Sequence, residues 1–139
     1  MRRRFNHITP RYIKDRLLVW YNEMRRPEEP WLTSRSVSLL RELLKIDDVG
    51  VEFGSGRSTI WFAKRMRHLT SIESDAIWYD KVRDLIRLEG LASTVDYRKC
   101  DDEEEYERQA TLFDEGSLDF CLVDGLVRDR CALEIIPKI

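Results

Sequence analysis

An acid and two glycines at close spacing, Glu52, Gly54 and Gly56, stand in the run Val49 to Thr59, V-G-V-E-F-G-S-G-R-S-T. The run reads as a short buried strand, a glycine-rich turn and a helix opening at Ser58–Thr59. Glycines at these positions let the chain turn sharply and let a ligand approach the bare backbone. The free amides of a helix start then point at whatever sits above the turn. About 20 residues on, where nucleotide-binding α/β folds place the carboxylate that holds a ribose, a second strand-like run, Leu69-Thr-Ser-Ile-Glu73, ends in an acid. The turn and the acid together imply a ligand that contains a nucleoside.

Two ligand chemistries compete for such a turn. A dinucleotide fingerprint ends in a third glycine or alanine that allows close helix–strand packing, whereas here the third position is Thr59. Glu52 precedes the turn, and a carboxylate beside a doubly charged pyrophosphate is repulsive, while a sulfonium and an ammonium are attracted to it. The pattern E-x-G-x-G followed by a strand-end Glu resembles the class I S-adenosylmethionine-dependent methyltransferases. The longer string V-E-F-G-S-G-R-S-T-I-W-F-A-K is similar to one bacterial-type branch of that family. A NAD-type Rossmann dinucleotide-binding domain stays open as an alternative. So does a non-catalytic cofactor-binding or interaction module.

The resemblance implies S-adenosyl-L-methionine as cofactor and methyl transfer to an acceptor, with O-methylation of a small molecule favoured. It implies that Glu52, Gly54, Ser55 and Gly56 cradle the methionine end, the backbone amides meeting its carboxylate. It implies that Glu73 takes both ribose hydroxyls and that Asp101, or its neighbour Asp102, meets the adenine amino group. The string L-V-D-G-x-x-R, residues 122–128, is similar to the segment beside the transferable methyl group. That makes Asp124 a cofactor- or substrate-side residue, with Arg128 binding an anion or pairing with a nearby acid. In some relatives an aspartate here holds a metal, but the further ligands such a site needs are not offered by this sequence, and no metal is expected. Methyl transfer asks mainly for positioning, and neither His7 nor His68 has a catalytic address, so no catalytic residue is assigned.

The elements that must position these groups are legible from periodicity. Ile13, Leu17, Trp20 and Met24 recur at helical spacing over residues 10–26, and Pro27-Glu-Glu-Pro30 breaks that helix. Thr33 or Ser34 caps a second helix to about Lys45, with Val37, Leu40 and Leu44 on one face. Strands follow over 49–53, 69–73, 94–100 and 118–123. Helices lie between them over 58–67, from Ser74–Asp75 to Glu89 with Trp78, Val82, Leu85 and Ile86 on one face, and from the acidic run to about Phe113. A last helix starts in 126–136. The expected architecture is α/β, a Rossmann-like parallel sheet with flanking helices, preceded by an N-terminal helical extension. Residues 1–32 form that extension and 33–139 the cofactor-binding domain. Glu52, the glycine turn, Glu73, Asp101 and Asp124 all fall at strand ends, where ligands bind in such sheets.

The resemblance covers about residues 31–138 and only the N-terminal half of the family domain, which has seven strands where four are visible here. The chain is therefore expected to be truncated after the fourth strand, leaving an exposed edge strand prone to self-association. With 139 residues, 42% hydrophobic and 36% charged, it suits one soluble domain. A net charge of −2 does not suit nucleic acid, and Met1-Arg-Arg-Arg4 reads as a solvated terminus. No apolar run is long enough to span a membrane. Cys100, Cys121 and Cys131 lack metal-type pairing and read as reduced thiols of a cytoplasmic protein. The expected partner is a small-molecule substrate, with no nucleic acid and no membrane.

Overall fold

Short runs that are apolar on both faces become interior strands of a parallel sheet, because helices cover both sides. The computed structural model describes residues 29–139, so the helix expected over 10–26, the basic Met1–Arg4 run and His7 lie outside the described residues. Four strands, β1 (Val49–Phe53), β2 (His68–Glu73), β3 (Val95–Lys99) and β4 (Phe120–Val123), pair in parallel in the order β3-β2-β1-β4. The helices are α1 (Ser34–Leu43), α2 (Arg57–Ala63), α3 (Ala76–Leu88), α4 (Glu103–Arg108) and α5 (Arg128–Ile135). Short 3₁₀ turns occupy Gln109–Leu112 and Ile136–Lys138. This is the expected α/β, Rossmann-like parallel sheet with flanking helices. Strand order runs outward from β1 to β3 and then returns past β1 to β4, so the switch point lies between β1 and β4.

The two faces carry separate cores. Under α1, α2 and α3 lie Val37, Trp61, Phe62, Met66, Leu69, Val82 and Ile86. Against α4 and α5 lie Val51, Phe53, Ile72, Tyr106, Cys131 and Ile135. Each such side chain, fully buried, contributes about 1.5–3 kcal/mol by leaving water. Strand alternation decides the allotment: Val51 and Phe53 face one way, Gly50 and Glu52 the other. The register sets Glu52 beside Ser71 on the face that α2 covers. Here the fold creates its chemical oddity, a carboxylate inside an apolar layer.

Helix starts follow the sequence closely. Thr33 caps α1 by accepting from the Ser36 amide, Asp75 caps α3 by accepting from the Trp78 amide, and Asp102 caps α4 by accepting from the Glu105 amide. Three details differ from the sequence expectation. α2 ends at Ala63 rather than near residue 67, because the Arg65 amide bonds the Phe62 carbonyl and Met66 turns down onto β1. A Cβ on Gly50 would meet the Met66 sulfur at 3.0 Å, so the glycine makes room for that turn. Leu85 is 42% exposed and stands off the α3 face that Val82 and Ile86 bury. β4 begins at Phe120 rather than Leu118, because Leu118 bonds the Lys138 carbonyl and Asp119 tethers both sides of Val49. No helix of the described residues is long and apolar enough to cross a membrane.

Candidate functional site

The turns that follow β1 and β4 meet at the switch point, and glycine is needed on both sides. Gly54 has φ +96°, a conformation L side chains rarely adopt, and a Cβ there would stand 2.8 Å from the Gly125 nitrogen. A Cβ on Gly125 would run into the Tyr106 hydroxyl beneath it. Close approach of two protein backbones is thus the local reason for glycine at 54. The same β4–α5 turn holds Val127 at φ +39°, a left-handed conformation costing on the order of 1–3 kcal/mol for a β-branched residue. Its side chain packs on the α5-side core, which holds the residue there.

Glu73 ends β2 and is 7% exposed. Its Oε2 accepts from the Ser55 amide at 3.0 Å and the Ser55 hydroxyl at 2.7 Å, and its Oε1 accepts from the Ser74 and Asp75 amides at 2.8 and 2.9 Å. A carboxylate offers about four acceptor positions, and the chain itself occupies all of them. Ser55 is the hub of this clasp. Its hydroxyl also meets the Tyr97 hydroxyl at 2.7 Å, and its carbonyl accepts from the Trp78 indole at 2.7 Å. The turn amides are engaged as well: Gly54 donates to the Ile72 carbonyl and Gly56 to the Thr59 hydroxyl, each at 2.9 Å.

Glu52 lies behind the turn and is fully buried. Its Oε2 accepts from Thr59 Oγ1 at 2.6 Å and Ser71 Oγ at 2.9 Å, while Oε1 is buried with no hydrogen-bond partner. Burial pushes its carboxyl up to about 7 from 4.5, against the lowering effect of the Ser58, Thr59 and Ser71 hydroxyls, with the Glu73 charge adding to the rise. Near neutral pH it therefore exists in both protonation states.

Above the turns opens a cavity of about 440 Å³. Gly54, Ser55, Gly56, Glu73 and Asp124 stand on its wall; Glu52 and Asp101 do not. Asp101 pairs with Lys99 in solvent, and its side chain is 76% exposed. Asp102 is engaged as the α4 cap. Asp124 Oδ1 meets Arg128 at 3.0 Å, and Arg128 also donates to the Asp124 and Gly125 carbonyls. The lining also includes residues that sequence reasoning did not assign to the site, namely Pro30, Trp31, Leu32, Arg57 and Trp78. Trp31 and Trp78 lie 6.4 Å apart by ring centroids, and the Arg57 guanidinium sits 5.8 Å from the Trp31 ring. Trp31 beside Pro30 was the available signal, an aromatic held next to a rigid break.

No protein-family model and no curated protein sequence matches the chain. Solved structures do. A precorrin-8w decarboxylase from Methanobacterium thermoautotrophicum superposes with a TM-score of 0.63 at 21% identity, over 81% of this chain and 61% of its own. A methyltransferase-like protein from Silicibacter pomeroyi gives 0.59 at 24% identity, over 77% and 66%. A SAM-dependent methyltransferase from Thiobacillus denitrificans, in complex with S-adenosyl-L-homocysteine, gives 0.52 at 12% identity, over 78% and 45%. At these identities the likeness establishes the fold. The chain spans between 45% and 66% of the length of these three structures.

Proposed function

We propose that the cavity binds S-adenosyl-L-methionine and that the chain is the cofactor-binding part of a methyltransferase acting on a small molecule, with oxygen the favoured acceptor atom. The observation that carries this reading is the charge of the cavity wall. Among the described residues the wall carries three carboxylates, Glu73, Asp75 and Asp124, and one guanidinium, Arg57, with Arg128 pairing to Asp124 from outside it. The excess of carboxylate repels a pyrophosphate and attracts a sulfonium and an ammonium, which favours this cofactor over a dinucleotide. Two neighbours of the same fold, one described as methyltransferase-like and one as a SAM-dependent methyltransferase holding S-adenosyl-L-homocysteine, support it.

The residues present fit the cofactor on one condition. Glu73 can take ribose hydroxyls only if the Ser55 hydroxyl leaves Oε2. To do so Ser55 rotates away and gives up that hydrogen bond, at a cost of about 1 kcal/mol. Trp78 and Ser74 flank that position on the cavity wall, and Asp124 can take an ammonium only by sharing its carboxylate with Arg128. When bound, the cofactor would supply an electrophilic methyl carbon, and the chain's part is to orient it and exclude water. Glu73→Ala should lower S-adenosylhomocysteine affinity by about tenfold or more, as loss of a charged two-oxygen contact does. Unchanged affinity in a folded variant would remove the ribose assignment.

A second reading has its own observation. Because Glu73 and the amides of residues 54–56 are all engaged within the chain, the turn can serve as a structural clasp in a non-catalytic module. That reading requires that no nucleoside binds.

A further inference from the structure

The engaged turn poses a question of charge. The amides of Gly54, Ser55 and Gly56 donate to Ile72, Glu73 and Thr59, so an anionic group entering the cavity finds none of them free. α2 is only seven residues long and offers no extended helix dipole to replace them. Among the described residues the wall nevertheless carries one cation.

Arg57 lines the cavity, and its Nη1 is buried without a hydrogen-bond partner. The nearby carboxylates are committed elsewhere: Glu73 to four donors, Asp75 to the Trp78 amide, Asp124 to Arg128. The contact the guanidinium does make is with the Trp31 ring. At that distance the ring attracts the cation without using any of its N–H donors. A buried donor without a partner is costly to keep, and a small shift of the side chain into the cavity it lines would let a ligand satisfy it.

We propose that Arg57, braced by Trp31, is the anion-recognition residue of this cavity and takes a ligand carboxylate on the edge of its guanidinium. The proposal rests on the cofactor reading for one of two possible sources of that carboxylate. One is the amino-acid end of the cofactor. The other is a carboxylate on the methyl acceptor, whose apolar body would lie along Trp31, Pro30, Leu32 and Leu126.

Calorimetric titrations of the wild type and Arg57→Gln separate these sources. The probes are S-adenosylhomocysteine, 5′-methylthioadenosine, which lacks the amino-acid end, and benzoate. If the carboxylate is the cofactor's, Arg57→Gln weakens S-adenosylhomocysteine by about tenfold or more, as a charge-assisted contact requires. Methylthioadenosine is then unaffected, which also shows the variant to be folded. If it is the acceptor's, both nucleosides bind both proteins alike, and benzoate binds only the wild type. Equal binding of all three probes by the two proteins overturns the proposal and leaves Arg57 as a partner for Trp31. If the wild type binds neither nucleoside, the cofactor reading falls by itself, and Arg57 is judged by benzoate alone. Benzoate binding lost in the folded variant then upholds anion recognition, and binding unchanged or absent refutes it.

Discussion

Replacing Glu52 by glutamine should change how stability depends on pH. The carboxyl is fully buried, beneath the Ser58, Thr59 and Ser71 hydroxyls and close to the Glu73 charge, and burial raises it from 4.5 to about 7. Between those two values the folded chain holds a proton that the unfolded chain has released. Stability from this group is therefore complete below about pH 4.5 and is lost as pH rises through about 7. At about 1.4 kcal/mol per unit, the full loss comes to about 3 kcal/mol. Glutamine mimics the protonated form, placing its amide nitrogen where Oε1 already lacks a partner, so its own cost is the same at every pH. Urea unfolding of both proteins from about pH 4.5 to about pH 8 isolates the effect. The stability difference should move by about 3 kcal/mol in favour of the variant across that range. A constant difference would mean that Glu52 stays in one protonation state, and the account of its burial would be wrong.

Two further outcomes follow from the turn. Ser55→Ala removes the hydroxyl that competes for Glu73 Oε2, so S-adenosylhomocysteine should bind a few-fold more tightly, a gain of about 1 kcal/mol; weaker binding in a titration would show the hydroxyl to be a ligand contact. Gly125→Ala drives a methyl group into the Tyr106 hydroxyl and to 3.0 Å from the Gly54 nitrogen, and should cost about 1–3 kcal/mol in chemical denaturation. An alanine variant as stable as wild type would mean that the two turns do not meet so closely.

The fold was legible because its signals are local and redundant. Alternating strand and helix patterns, with Thr33 and Asp75 as caps, locate the sheet to within a residue or two. The shortening of α2 was not legible, since it depends on Met66 packing over Gly50 from a different element. Site residues divide the same way. Glycines at 54 and 56 and the acid at 73 announce a turn and a strand end, and both reach the cavity. Spacing cannot report whether their donors and acceptors are already spent within the chain, which is the condition of Glu73 and the turn amides. Nor can it show that β-strand alternation seals Glu52 beneath α2, or that Asp101 lies in solvent beside Lys99. Trp31 and Arg57 come together only because the segment before α1 crosses the open side of the switch point, a tertiary event with no local signature.

Calorimetric titration of the 139-residue chain with S-adenosylhomocysteine, and in parallel with NAD, is the most direct measurement. An acidic cavity built around Glu73 and Asp124 should bind S-adenosylhomocysteine saturably at one site in the micromolar range and give no heat with NAD. Binding of NAD, or no binding of either ligand by a chain shown to be folded, would contradict the assignment of this cavity to a sulfonium nucleoside.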